Sequence, residues 1–140
     1  METINVRFSI KDHGWGLENE FIECVYDIQN NIATVNGYPK LVRNINHGDS
    51  IKVEKNEEEY KYVSTLNKSG EFGYRVIFLD KSIKAEDIFI FLKIFHRLGA
   101  KIDKPLYLVA CIFFTKDKNK IEIENILNSI TSPKIAYELI

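Results

Sequence analysis

The residues able to do chemistry in this 140-residue chain are few and scattered. Asp12-His13-Gly14 sets a histidine beside a carboxylate, the pairing of an oriented base. Neighbours in sequence seldom hold that geometry, and no nucleophile is near, so a surface turn is the expected reading. His47 precedes Gly48-Asp49 and reads the same way, while His96 sits beside a core stripe. Ser69 has no activating partner in sequence. Three dispersed histidines with Cys24 and Cys111 match no metal spacing. Gly70-Glu-Phe-Gly73 lacks the Gly-Lys-Ser/Thr of a phosphate loop and precedes a strand. Neither a catalytic set nor a cofactor site is expected, and the chain reads as no enzyme.

Two features exceed structural need. The first is the acidic run Glu57-Glu58-Glu59, with Glu54 just upstream. A solvated hairpin tip is its plain explanation. The second is the pair Ile90 and Ile94, four residues apart and off the core stripe of their helix. They pack under the first half of the chain or form a partner surface. Tyr60, Tyr62, Phe72 and Tyr74 are of the type that stacks bases. Their neighbours Glu57, Glu58, Glu59 and Glu71 repel phosphate, so they read as core and no nucleic-acid partner is expected.

The elements that position these residues follow from periodicity. Ile4, Val6, Phe8 and Ile10 alternate with polar residues, predicting a half-buried strand over 3–10. Strands are expected at 20–26 and 32–35, the latter ending at an Asn36-Gly37 tight turn. A hairpin of 51–54 and 60–66 follows, joined by the charged run 55–59. The first 68 residues thus predict a small β-sheet or partial barrel. Asn67-Lys-Ser-Gly70 is the expected joint. Beyond it, a strand at 72–79 leads to a helix over 84–98, with Ser82 as its cap and Ile88, Phe91, Leu92, Phe95 and Leu98 as its stripe. Gly99 suits the left-handed position past its end. A short edge strand at 101–102 turns at Asp103-Lys-Pro105. Leu106–Phe114 is apolar throughout, as in a strand buried on both faces. A helix over 119–130 opens on Asn119 and Glu122, Ser132-Pro133 ends it, and 135–139 is the last strand. The order β-α-β-β-α-β makes residues 69–140 a ferredoxin-like unit. The fold class is α+β in one compact domain of two subdomains.

Composition bounds the function. A chain 45% hydrophobic with net charge −1 folds, and carries no field drawing it to nucleic acid or membrane. Met1–Gly70 carries 8 basic and 11 acidic residues, net −3, and the remainder 11 and 9, net +2. Two cysteines in apolar runs predict buried thiols in a reducing compartment. Without a signal-like start or a run long enough to cross a bilayer, a cytoplasmic location is expected.

Glu20-Phe-Ile-Glu-Cys-Val25, Pro39, Gly48-Asp49-Ser-Ile-Lys-Val53, Ser69-Gly70, Arg75-Val76 and Leu98-Gly99 form a series. It resembles the pattern of a bacterial family, domain of unknown function 4265. Glu71 stands where that pattern has His, and Lys40 where it has Phe. The resemblance implies no established activity. With no catalytic constellation, an acidic loop and spare apolar helix surface, the chain is also similar in class to bacterial immunity proteins. The expected function is neutralisation of a polymorphic or contact-dependent toxin, such as a nuclease, whose basic domain is the protein partner. Glu54, Glu57, Glu58, Glu59, Ile90 and Ile94 would bind it. The alternative is a small-molecule-binding regulatory domain of ferredoxin-like type.

Overall fold

The computed structural model describes residues 1–11, 16–131 and 134–140. Asp12-His13-Gly14 and the Ser132-Pro133 helix stop therefore lie outside the described residues. The protein is α+β, mostly strand, with two helices. It divides into two compact units, Met1–Glu71 with Ile140, and Phe72–Leu139.

The first unit is a closed five-stranded barrel of β1 (Glu2–Ser9), β2 (Asn19–Asp27), β3 (Ile32–Val35), β4 (Ser50–Asn56) and β5 (Glu59–Asn67). Each strand pairs antiparallel with the next. Four reversals make β1 and β5 run the same way, so the barrel closes through a parallel pair, Val6↔Tyr60 and Arg7↔Lys61. The period-two pattern sends Ile4, Val6, Phe8, Ile22, Cys24, Val35, Ile51 and Val53 inward, with Tyr60 and Tyr62 packed against them. Phe8 and Tyr62 stack at 4.9 Å.

Two local expectations change in this unit. The charged run 55–59 is not a loop: Lys55↔Tyr60 and Asn56↔Glu59 are paired, so only Glu57 and Glu58 turn the chain, Glu57 at φ 59°. Lysine stems and cross-strand pairing hold those polar residues in strand despite their modest β propensity. Asn36-Gly37 makes no hairpin turn either, because β3 and β4 are separated by residues 36–49. Both Asn36 and Gly37 donate their amides to the Glu23 carbonyl, at 2.9 Å. A Cβ on Gly37 would meet Ile22 Cγ2 at 3.1 Å, so close approach to β2 is the pressure on that position.

The second unit is a four-stranded sheet of order β7-β8-β6-β9, antiparallel throughout, formed by β6 (Phe72–Phe78), β7 (Lys101–Leu106), β8 (Val109–Phe114) and β9 (Ile135–Leu139). Helix α1 (Ala85–Arg97) lies between β6 and β7, and α2 (Lys120–Ile130) between β8 and β9. Tyr74, Val76, Phe78, Ala110, Ile112 and Phe114 share a core with Ile88, Leu92 and Phe95 of α1 and Ile123 and Leu127 of α2. β8 is buried on both faces, as the apolar run predicts for 109–114, whereas Leu106 ends β7, residues 107–108 turn the chain, and Leu106 and Tyr107 are exposed. The segment expected at 101–102 continues to Leu106. The expected turn at Asp103-Lys-Pro105 is instead a register shift, which β7 tolerates as an edge strand where proline needs no ladder partner.

Helix ends divide similarly. Asn119 caps α2 as expected, accepting the Glu122 amide at 3.1 Å. Ser82 does not cap α1. Lys84 holds the N-cap position without a side-chain bond, and Ser82 donates both its amide and its hydroxyl to Asp80 Oδ1. That local turn offers the serine a closer acceptor.

Candidate functional site

The six residues proposed from sequence fall in different units. Glu54, Glu57, Glu58 and Glu59 lie on the β4–β5 hairpin of the barrel, all exposed. The hairpin is less acidic than its sequence suggests. Glu54 sits opposite Lys61 across the ladder, and Lys52 and Lys55 share β4 with it. Glu59 Oε1 contacts Arg7 Nε at 3.0 Å. Glu57 and Glu58, at the tip, have no such counter-charge among the described residues.

Ile90 and Ile94 belong to α1 in the second unit, 63% and 41% exposed, and Phe89 is 62% exposed. The predicted stripe of this helix faces its own core, with Ile88, Leu92 and Phe95 buried. Helical geometry then leaves the 90/94 pair outward, one turn apart. Lys93 Nζ lies 4.9 Å from the Phe89 ring centre.

The barrel holds a polar cluster that sequence reasoning missed. Asp49, fully buried, accepts three hydrogen bonds: from the Asn46 amide at 2.9 Å, the Ser69 amide at 2.8 Å and Lys68 Nζ at 2.7 Å. Lys68 also donates to the Asn44 carbonyl at 2.6 Å. A carboxylate buried with one cation and two amides is compensated rather than stranded. Gly48, next to it, has φ +85°, and a Cβ there would meet Ser69 Cβ at 2.9 Å. The position therefore excludes other residues both by conformation and by space.

On the same loop, His47 Nδ1 lies 2.9 Å from Glu71 Oε2, and the Tyr38 ring stacks parallel on the imidazole at 4.6 Å. Burial, and then the Glu71 charge, push the Tyr38 phenol above its ordinary value. A carboxylate on Nδ1 orients a histidine as it would a general base. The hydroxyl that would complete a nucleophilic set is committed elsewhere. Ser69 Oγ donates to the His47 carbonyl at 2.6 Å and accepts from the Glu71 amide at 3.1 Å. The cluster ties residues 46–49 to 69–71 and activates no nucleophile among the described residues. The signal for it was present: Gly48-Asp49 and Ser69-Gly70 flank the hairpin expected from sequence, and its Ser50↔Asn67 pairing brings them together.

Other candidates resolve as packing. In the second unit Phe72 and Tyr74 are buried, and Tyr74 donates to Glu124 at 2.9 Å. Arg75, wholly buried, meets Glu138 at 2.7 Å. Cys24 and Cys111 are buried free thiols. The described residues contain no metal-holding group of His, Cys, Asp and Glu, and no helix long and apolar enough to cross a membrane.

No protein-family model matches this chain, and no curated protein matches it. Among solved structures it is similar to a hypothetical protein from Neisseria gonorrhoeae. The TM-score is 0.72 at 15% identity, over 97% of this chain and 91% of that one. That likeness is one of fold.

Proposed function

We propose that this protein is a non-catalytic binding protein that neutralises a bacterial toxin domain in the manner of an immunity protein. The observation that carries the reading is the outward apolar strip of α1, Phe89, Ile90 and Ile94, left over after the core stripe of the same helix is satisfied. Single exposed apolar residues are ordinary, whereas three within six positions form a patch suited to a protein partner. Buried apolar anchors hold such complexes, and rim charges steer their formation. Glu54, Glu57 and Glu58 suit the steering role towards a basic toxin domain, while Glu59 is already engaged by Arg7. The commitment of Ser69 Oγ to backbone groups favours binding over catalysis.

Two finer assignments belong to the same reading. The strand order β7-β8-β6-β9 with two intervening helices supports a ferredoxin-like unit at Phe72–Leu139. Kinship with domain of unknown function 4265 rests on the sequence series alone, in which Gly48, Asp49, Ser69 and Arg75 are packed or hydrogen-bonded positions of this chain.

The test uses a toxin domain encoded beside this gene. Calorimetric titration should show tight association, and co-expression should protect cells from the toxin. The folded Ile90→Asp, Ile94→Asp variant should lose both. Undiminished binding by that variant would remove α1 from the interface. Absence of both binding and protection with the wild-type chain would end the immunity reading.

A further inference from the structure

The barrel unit contains a cavity of about 470 Å³ to which the partner-binding reading gives no role. It opens beside the end of β1, the start of β2, the loop at 42–45 and β5. Its charged lining is one-sided: Arg7, Lys11, Arg43 and Lys61 against Glu18. Met1–Glu71 has 8 basic and 12 acidic residues, and four of those cations line one cavity with, among the described residues, one carboxylate. Outside that lining, Glu59 stands on Arg7 and Glu54 opposite Lys61 across the ladder.

We propose that this cavity binds a small phosphorylated organic molecule of about nucleotide size. Cationic side chains converging on a concave site are the usual means of holding phosphate, and arginine offers it a planar fork of donors. A volume of this order suits an organic ligand and is far larger than a lone phosphate needs. Tyr62, which also lines the cavity, is stacked on Phe8 and forms part of its wall. The nearby amides of Lys40, Leu41 and Val42 are already taken by the Glu20 carboxylate, at 2.7, 2.9 and 2.8 Å. That arrangement is itself a carboxylate seated on backbone donors, and it leaves the loop 42–45 braced beside Arg43. Lys11 and Lys61 have no ion-pair partner among the described residues. Arg7 is held by Glu59, which competes with the incoming anion.

The experiment titrates the full chain with ADP, pyrophosphate and inorganic phosphate, and separately with a short oligothymidylate, following backbone amides by NMR. ADP should shift the amides of Arg43, Asn44 and Lys61, bind more tightly than inorganic phosphate, and weaken as salt is raised. Arg43→Glu with Lys61→Glu, both at exposed positions, should weaken ADP by about tenfold or more while the fold persists. Glu59→Gln should tighten it by releasing Arg7. The proposal is overturned if millimolar ADP leaves these amides unmoved, if the folded double variant binds as the wild type does, or if inorganic phosphate equals ADP. Oligothymidylate binding without any response to ADP would equally overturn it, making the cleft a nucleic-acid groove. None of these readouts involves a toxin, so this inference and the immunity reading fail separately.

Discussion

The two units bury charge in opposite ways. In the barrel an anion, Asp49, is enclosed by two backbone amides and a lysine whose side chain stays 44% exposed. In the sheet-and-helix unit a cation, Arg75, is wholly enclosed on a central strand and meets a partly exposed carboxylate, Glu138. The barrel's anion is a loop device: its donors come from segments 46 and 68–69, so it fixes connections between strands. The sheet's cation belongs to the ladder itself, where Arg75 stands opposite Glu138 on β9. Burial of charge thus specifies loop geometry in one unit and strand pairing in the other.

The comparison is broken most severely at β8. Val109→Asp places an unpaired charge in a strand closed on both faces, and the expected outcome is loss of cooperative unfolding and of a dispersed NMR spectrum. No position on the barrel's alternating strands has two apolar faces to offend. Next is Asp49→Ala, which strands two amides and releases Lys68 to water. A loss of about 3 kcal/mol is expected in urea denaturation. Lys68→Met should cost less than Asp49→Ala, because the two amides still solvate the carboxylate, and the reverse order would make the ion pair dominant. Gly48→Ala comes third, at about 2 kcal/mol, from a left-handed backbone and the contact with Ser69.

The mildest effect is alkaline. Burial pushes the Cys24 thiol from 9.0 up to about 12, and burial with the Glu124 hydrogen bond pushes the Tyr74 phenol well above its usual value. Both groups are acids whose folded pKa is raised. The native state therefore keeps protons that the unfolded chain releases, and stability is full below pH 9 and declines as pH rises towards 12. Cys24→Ala in the barrel and Tyr74→Phe in the sheet should each flatten part of that decline in stability measured against pH. An unchanged slope in both would remove these groups as its cause.

The legible parts of the fold were those written in side-chain period. Ile4, Val6, Phe8 and Ile10 announced β1, the apolar run 106–114 announced a doubly buried strand that proves to be its 109–114 part, and the stripe from Ile88 to Leu98 gave the inward face of α1. Closure of the barrel was not legible, because the β1–β5 pairing joins residues distant in sequence. Nor was the conversion of Lys55 and Asn56 into strand, where cross-strand partners overrode local polarity. Among the candidate residues, exposure of Ile90 and Ile94 followed from helical spacing. The Asp49 and His47 contacts did not, since they depend on the register of the β4–β5 ladder, which ends at Ser50↔Asn67 and seats Ser69 and Glu71 beside residues 46–49.

The short seam between β1 and β5 has a kinetic consequence. Every other barrel pairing joins consecutive strands, the longest of the described links being residues 36–49 between β3 and β4. The seam joins Val6 to Tyr60, a separation of 54 residues, through two matched pairs. The chain must first lose the entropy of closing that long loop, and it gains little ladder in return. An open, twisted meander is therefore the natural intermediate, with its unpaired β1 and β5 edges shut in the final step. Amides along the seam should be the first in the barrel to exchange with solvent, through opening that leaves the four antiparallel pairings intact.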